Sequence, residues 1–155
     1  MSQVAALVLL VVAVAASTAR AGADELTLIK LVSITTSERD NDVPPKGVSI
    51  GDSEFSTSRL VNAVPQFGKP KGAVVGSDQS TTTLRSASMA RVEGVTKLPG
   101  GSLVIYGTVR FIPHGQVFPI GGGTGAFSGA HGTVTVTPFG KDARRALNVY
   151  RLAYR

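Results

Sequence analysis

The chain has 155 residues, one domain's worth of sequence, with 16 Lys and Arg against 10 Asp and Glu for a net charge of +6. It is 43% hydrophobic, enough for a core of its own, and only 6% aromatic. It has no cysteine and no tryptophan, which excludes disulfides, iron–sulfur clusters and thiolate zinc sites.

The first feature in chain order is an unbroken apolar run, Val4 to Ala16 (VAALVLLVVAVAA), followed by small residues and Ala19-Arg20-Ala21. This reads as a secretory signal peptide over residues 1–21 with an A-x-A cleavage pattern. No Lys or Arg precedes the run, so an uncleaved N-terminal anchor is the alternative. The run is shorter than the ~20 residues of a membrane span. Cleavage after Ala21 or Ala23 removes one arginine and no acid, so the mature chain stays basic. The folded domain is expected over residues 24–155, secreted or otherwise outside the cytoplasm. Without cysteine, it must rest on its own core.

Leu26 to Thr35 alternates as a strand, apolar on both sides at first and more polar on one face later. Thr81 to Val92 (TTTLRSASMARV) is ambiguous: its threonines favour strand, whereas Ala87 to Arg91 tolerates helix. Ser102 to Phe111 (SLVIYGTVRF) is β-rich and is introduced by Pro99-Gly100-Gly101. Gly132 to Thr137 (GTVTVT) alternates strictly and is expected to stop at Pro138. Asn148 to Tyr154 (NVYRLAY) alternates again. Between these runs lie Pro44-Pro45, Pro65, a loop over Gln66 to Gly72, Pro113 and Pro119. No apolar 3.6-residue period of helical length survives after the leader. Short strands between such breakers predict an all-β barrel or sandwich.

The glycine-rich stretch GGGTGAFSGAHG, Gly121 to Gly132, admits two readings. A dinucleotide site needs G-x-G-x-x-G between strand and helix. Here the spacing is wrong and the segment after it is β. A Walker loop needs Gly-Lys-Ser/Thr, which is absent. Glycines that let a strand bend, bulge and pass close to a neighbouring backbone fit the pattern better.

The same stretch, from Ile120 to Gly132, closely resembles the GGTG-x-F-x-x-A-x-G segment of dirigent proteins and the V-T-G-G-S-G-x-F-x-G segment of allene oxide cyclases. Ser37-Glu38-Arg39-Asp40 with Pro44 resembles the N-E-R-D…P end of the cyclases' first strand. GDSEFSTSRL, Gly51 to Leu60, resembles their G-D-x-x-x-F-x-x-x-L stretch. The resemblance implies an eight-stranded antiparallel β-barrel of the allene oxide cyclase/dirigent-like type, homo-oligomeric as a trimer or dimer. It also implies an apolar pocket and chemistry on a hydrophobic small molecule without a cofactor. The chain departs from both patterns. The cyclases' cysteine has no counterpart in Gly76 to Thr82, Val117 and Phe118 stand near their tyrosine, and His131 stands where dirigent proteins carry arginine.

Two residues are the catalytic candidates. Glu38 matches the cyclases' pocket glutamate, and an apolar mouth would raise its pKa for proton shuttling or cation stabilisation. The alternative is a solvated loop acid beside Arg39 and Asp40. His131 could exchange a proton near neutral pH if it shares a face with Phe127; otherwise it is a rim histidine. Asp40, Asn62 and Thr82 are candidate polar pocket groups. Tyr106, Phe118 and Phe127, with Phe111 and Tyr150, read first as core; in a barrel core and pocket wall can be the same residues, and Tyr106, Phe118 and Phe127 are the candidate pocket wall. His114 falls in a Pro-His-Gly turn and reads as surface. Two distant histidines give no metal site. The basic C-terminal residues read as a solvated face, and no aromatic–basic interleaving points to nucleic acid.

Three functions follow from these expectations. One is a cofactor-independent cyclase, isomerase or stereochemical guide, with Glu38 and His131 turned inward beside a cavity. One is a non-catalytic hydrophobic-ligand carrier. One is a structural, envelope-associated β-domain filled with side chains.

Overall fold

The computed structural model describes residues 26–112, 115–141 and 144–154, so the apolar leader and His114 lie outside the described residues. Eight strands follow one another: β1 (Thr27–Asn41), β2 (Ser53–Asn62), β3 (Val74–Ser86), β4 (Met89–Leu98), β5 (Gly101–Arg110), β6 (Gln116–Gly125), β7 (Ala130–Phe139) and β8 (Arg145–Tyr154). Each pairs antiparallel with the next, and β8 returns to β1 through Thr27↔Leu152 to Ile34↔Arg145. The result is a closed antiparallel barrel, an arrangement that leaves no sheet edge unpaired.

The strands differ from the sequence reading at three points. β1 runs six residues past Thr35, because a bulge at Thr36 absorbs the break in alternation. The ambiguous 81–92 stretch is a hairpin, the end of β3 turning into β4. β7 continues through Pro138, which pairs with Ala146 near the strand end, where a missing N–H is tolerated.

The glycine run is barrel geometry. Gly121 is the extra residue of a bulge, since Val104 faces Gly122 while Ile105 faces Ile120. Gly132 takes φ +140°, and a Cβ there would stand 2.0 Å from the Arg151 carbonyl oxygen.

The two barrel ends are unlike. At the base, Ile29, Leu31, Leu60, Leu98, Leu103 and Leu152 form the core, and Phe127 in the β6–β7 turn closes it from below. The β2–β3 loop adds a plug. Asn62 Nδ2 donates to the carbonyls of Gln66, Lys69 and Pro70 at 2.8, 3.1 and 3.3 Å. Gln66 in turn bonds the Lys30 backbone, and Phe67, at φ +55°, packs against the core. At the opposite end Asp52 orders the β1–β2 loop, accepting the Ser49 and Val43 amides at 2.7 and 3.0 Å.

Candidate functional site

The half of the barrel above the core encloses a cavity of about 220 Å³ to which all eight strands contribute. Its two walls differ. On β1, β2 and β3 the inward positions are hydroxyls: Ser33 and Thr35, Ser56 and Ser58, Ser80 and Thr82. On β4 to β7 they are Val92, Ile105, Phe118, Val134 and Val136. Residues paired across neighbouring strands share a face, so the Ser56–Ser80 pair, whose hydroxyls meet at 2.9 Å, fixes the polar wall.

Where the cavity meets the core lies a connected polar set. The Thr96 hydroxyl donates to Asp78 Oδ1 at 3.0 Å and lies 3.4 Å from the Tyr150 hydroxyl. Thr96 and Tyr150 are fully buried. Burial pushes the Asp78 pKa up, and the Thr96 hydroxyl and Gln79 amide partly offset it. Tyr150 is raised well above the phenol range, first by burial and then by the Asp78 charge. Thr96 has one hydroxyl hydrogen. With Asp78 ionised that hydrogen points to the carboxylate and Tyr150 donates to Thr96; with Asp78 protonated the direction can reverse. Asn148, 3% exposed, extends the set toward Ser33, whose hydroxyl lies 3.4 Å from Asn148 Oδ1.

The mouth is acidic. Past the bulge, Glu38 pairs with Ser56 and Asp40 with Glu54, which itself pairs with Thr82. Glu38, Asp40 and Glu54 therefore stand on the inward face, at its exposed outer end. The Glu54 pKa is raised by burial first, then by the negative charges of Glu38 and Asp40.

The sequence-derived candidates separate accordingly. Thr82 and Phe118 line the cavity, and Glu38 and Asp40 stand at its mouth. Four others, His131, Phe127, Tyr106 and Asn62, do not line this cavity, which corrects their expected place in it. His131 is on the outer face: its neighbours Ala130 and Val134 are the buried, inward positions of β7, and its ring contacts the Gly129 carbonyl at 3.4 Å. It shares no face with Phe127, which is 5% exposed and closes the base. Tyr106, 51% exposed, points outward from β5 beneath the Arg91 guanidinium at 4.8 Å. Phe111, 46% exposed, is likewise outside the core. Asn62 is buried but belongs to the plug. Sequence reasoning missed Asp78 and Thr96 and took Tyr150 as plain core. The signal was the polar period of two in β3, Asp78, Ser80 and Thr82, repeated by Ser56 and Ser58 in β2.

Comparison with known proteins supports the architecture. No protein-family model matches the sequence, and no curated protein is significantly similar to it. Among solved structures, a pyocyanin demethylase is similar with a TM-score of 0.66 at 18% identity, over 81% of this chain and 99% of that one. A Diels–Alderase from Streptomyces koyangensis is similar with a TM-score of 0.66 at 20% identity, over 87% of this chain and 71% of that one. A pterocarpan synthase dirigent protein is similar with a TM-score of 0.62 at 17% identity, over 85% of this chain and 90% of that one. At these identities the likeness is one of fold: this chain has the barrel that those proteins share.

Proposed function

We propose that this barrel binds a small hydrophobic or aromatic molecule in its cavity and guides its cyclisation, isomerisation or stereoselective coupling without a cofactor. The observation that carries the reading is the cavity itself, two-walled and ending on half-buried Asp78 with the buried Thr96 and Tyr150. Such a cavity holds a flexible substrate in one reactive shape and removes much of the entropy cost of the transition state. The hydroxyl wall fixes orientation and the apolar wall excludes water. A carboxyl held above its ordinary pKa keeps a proton to give, or offers a charge to stabilise a developing cation. Asp78 is the group placed for that step, with Glu38 at the mouth as a second acid. The enzyme names among the structural relatives favour catalysis over simple carriage.

Size limits the ligand. A dry cavity of about 150 Å³ accommodates benzene, so about 220 Å³ suits a one- or two-ring compound. A long acyl chain would project from the mouth. Export, expected from the leader, and assembly into a dimer or trimer complete the proposal. Exposed Val95 and Val104, paired across β4 and β5 on the outer face, support assembly.

The test is ligand-observed NMR with a panel of one- and two-ring compounds, comparing the natural chain with Thr82→Phe, which fills the cavity. Saturable binding by the natural chain, lost in Thr82→Phe, is expected. Binding unchanged by the filled cavity, or no binder in the panel, would exclude this site.

A further inference from the structure

The chain is basic overall, yet its charges are sorted by face. Among the described residues, no lysine or arginine lines the cavity. The strand cations occupy outward positions: Lys30 lies between inward Ile29 and Leu31, and Arg59 between inward Ser58 and Leu60. Arg39, next to the mouth acids, turns out over the Phe55 ring at 5.8 Å. The inward face holds Asp78, Glu38, Asp40 and Glu54. None of these four has an ion-pair partner among the described residues, where the one salt bridge is Arg91–Glu93 on the outside. A cavity with titratable groups of a single sign and low-dielectric walls focuses potential and selects ligands by charge.

Resting on the cavity reading above, we propose that the ligand is a compact organic cation, a protonated amine or a quaternary ring nitrogen, and that carboxylates are rejected. The geometry supplies each element such a ligand needs. The Asp78 carboxylate is a counter-charge at the cavity's inner end. Phe118 on the apolar wall supplies an aromatic ring, the side-chain type that attracts cations. The hydroxyls of β1 to β3 replace lost water, since each has an acceptor oxygen. Glu38, Asp40 and Glu54 draw a cation to the mouth. An anionic ligand would pass the three mouth acids and meet Asp78, with no cation to pair it. Fatty acids and other carboxylates, natural cargo for an apolar barrel, are therefore poor ligands here.

Three probes on one scaffold test this: 1-methylquinolinium, quinoline and quinoline-2-carboxylate, titrated by calorimetry at neutral pH. The cation is expected to bind at least about tenfold more tightly than quinoline, with the carboxylate weakest. Asp78→Asn should bring the cation down to the level at which the same variant binds quinoline. Should Asp78→Asn fail to fold, Glu38→Gln/Glu54→Gln at the exposed mouth should weaken the cation alone, by a factor that shrinks as salt rises. Equal binding of all three probes, or preference for the carboxylate, overturns the charge selection and leaves the cavity reading standing. Binding of none overturns both.

Discussion

Among the described residues, Asp78 is the one acid lining the cavity wall. Its pKa is raised in the folded state, so folding favours its protonated form. The stabilisation this brings is fully present below the ordinary carboxylate pKa and is lost as pH rises through the elevated folded value. Asp78→Asn removes that dependence. Its melting temperature relative to the natural chain should therefore rise between about pH 4 and about pH 8, read by thermal denaturation at both. Glu54 titrates in the same sense and Asp52 in the opposite one, so the comparison with the Asn variant isolates Asp78. Tyr150→Phe keeps the buried ring and deletes one hydroxyl, and should cost about 1 kcal/mol in chemical denaturation. Part of this geometry was legible beforehand. Thr82 and Phe118 sit on the cavity wall, and the Glu38 segment reaches the mouth. Asp78 was not recognised, because an acid among serines and threonines reads as a solvated strand until its cross-strand partners are known.

Strands explain why. Counted by alternation from Ile29 through Thr35, Glu38 falls on the outside; the bulge at Thr36 turns it inward. One extra residue in an otherwise regular ladder leaves little mark in sequence, yet it inverts every later side chain. The glycines, by contrast, were readable as bends, since few other demands bring so many together next to a strict Thr/Val repeat. They should not be equally replaceable. Gly132→Ala puts a Cβ against the Arg151 carbonyl at an unfavourable φ and should cost about 1–3 kcal/mol or more. Gly121→Ala meets nothing nearer than 3.9 Å and should stay within about 1 kcal/mol. Urea unfolding of the pair decides it. The plug offers a third check. Asn62→Ala removes three hydrogen bonds and should cost about 2–3 kcal/mol. Faster hydrogen exchange at the Lys69 and Gly72 amides, with slow exchange kept in β5, would mark the loss as local.

At the scale of the whole molecule, the barrel has two unlike halves. The base is filled by leucines and the plug, whereas the upper half sets serines, threonines and an acid around empty space. The all-β class followed from strand periodicity and breakers. Closure did not, because the pairing of β1 with β8 joins residues more than a hundred positions apart; the eight-stranded barrel entered through the glycine motif's resemblance.

That closing pair has a consequence for how the chain can be cut. Every strand is bonded to its two sequence neighbours, and the first and last described strands lie side by side, with Thr27 opposite Leu152. The fold is thus a ring in which no strand is privileged as the beginning. A short linker joining the two ends, with new termini opened in the exposed β1–β2 loop near Lys46, should give a circular permutant with the same barrel. In it the β1–β2 pairing becomes the distant one and β1–β8 becomes a local hairpin. Refolding kinetics of the two forms would show whether the order of strand synthesis matters to a cylinder whose finished form does not record it.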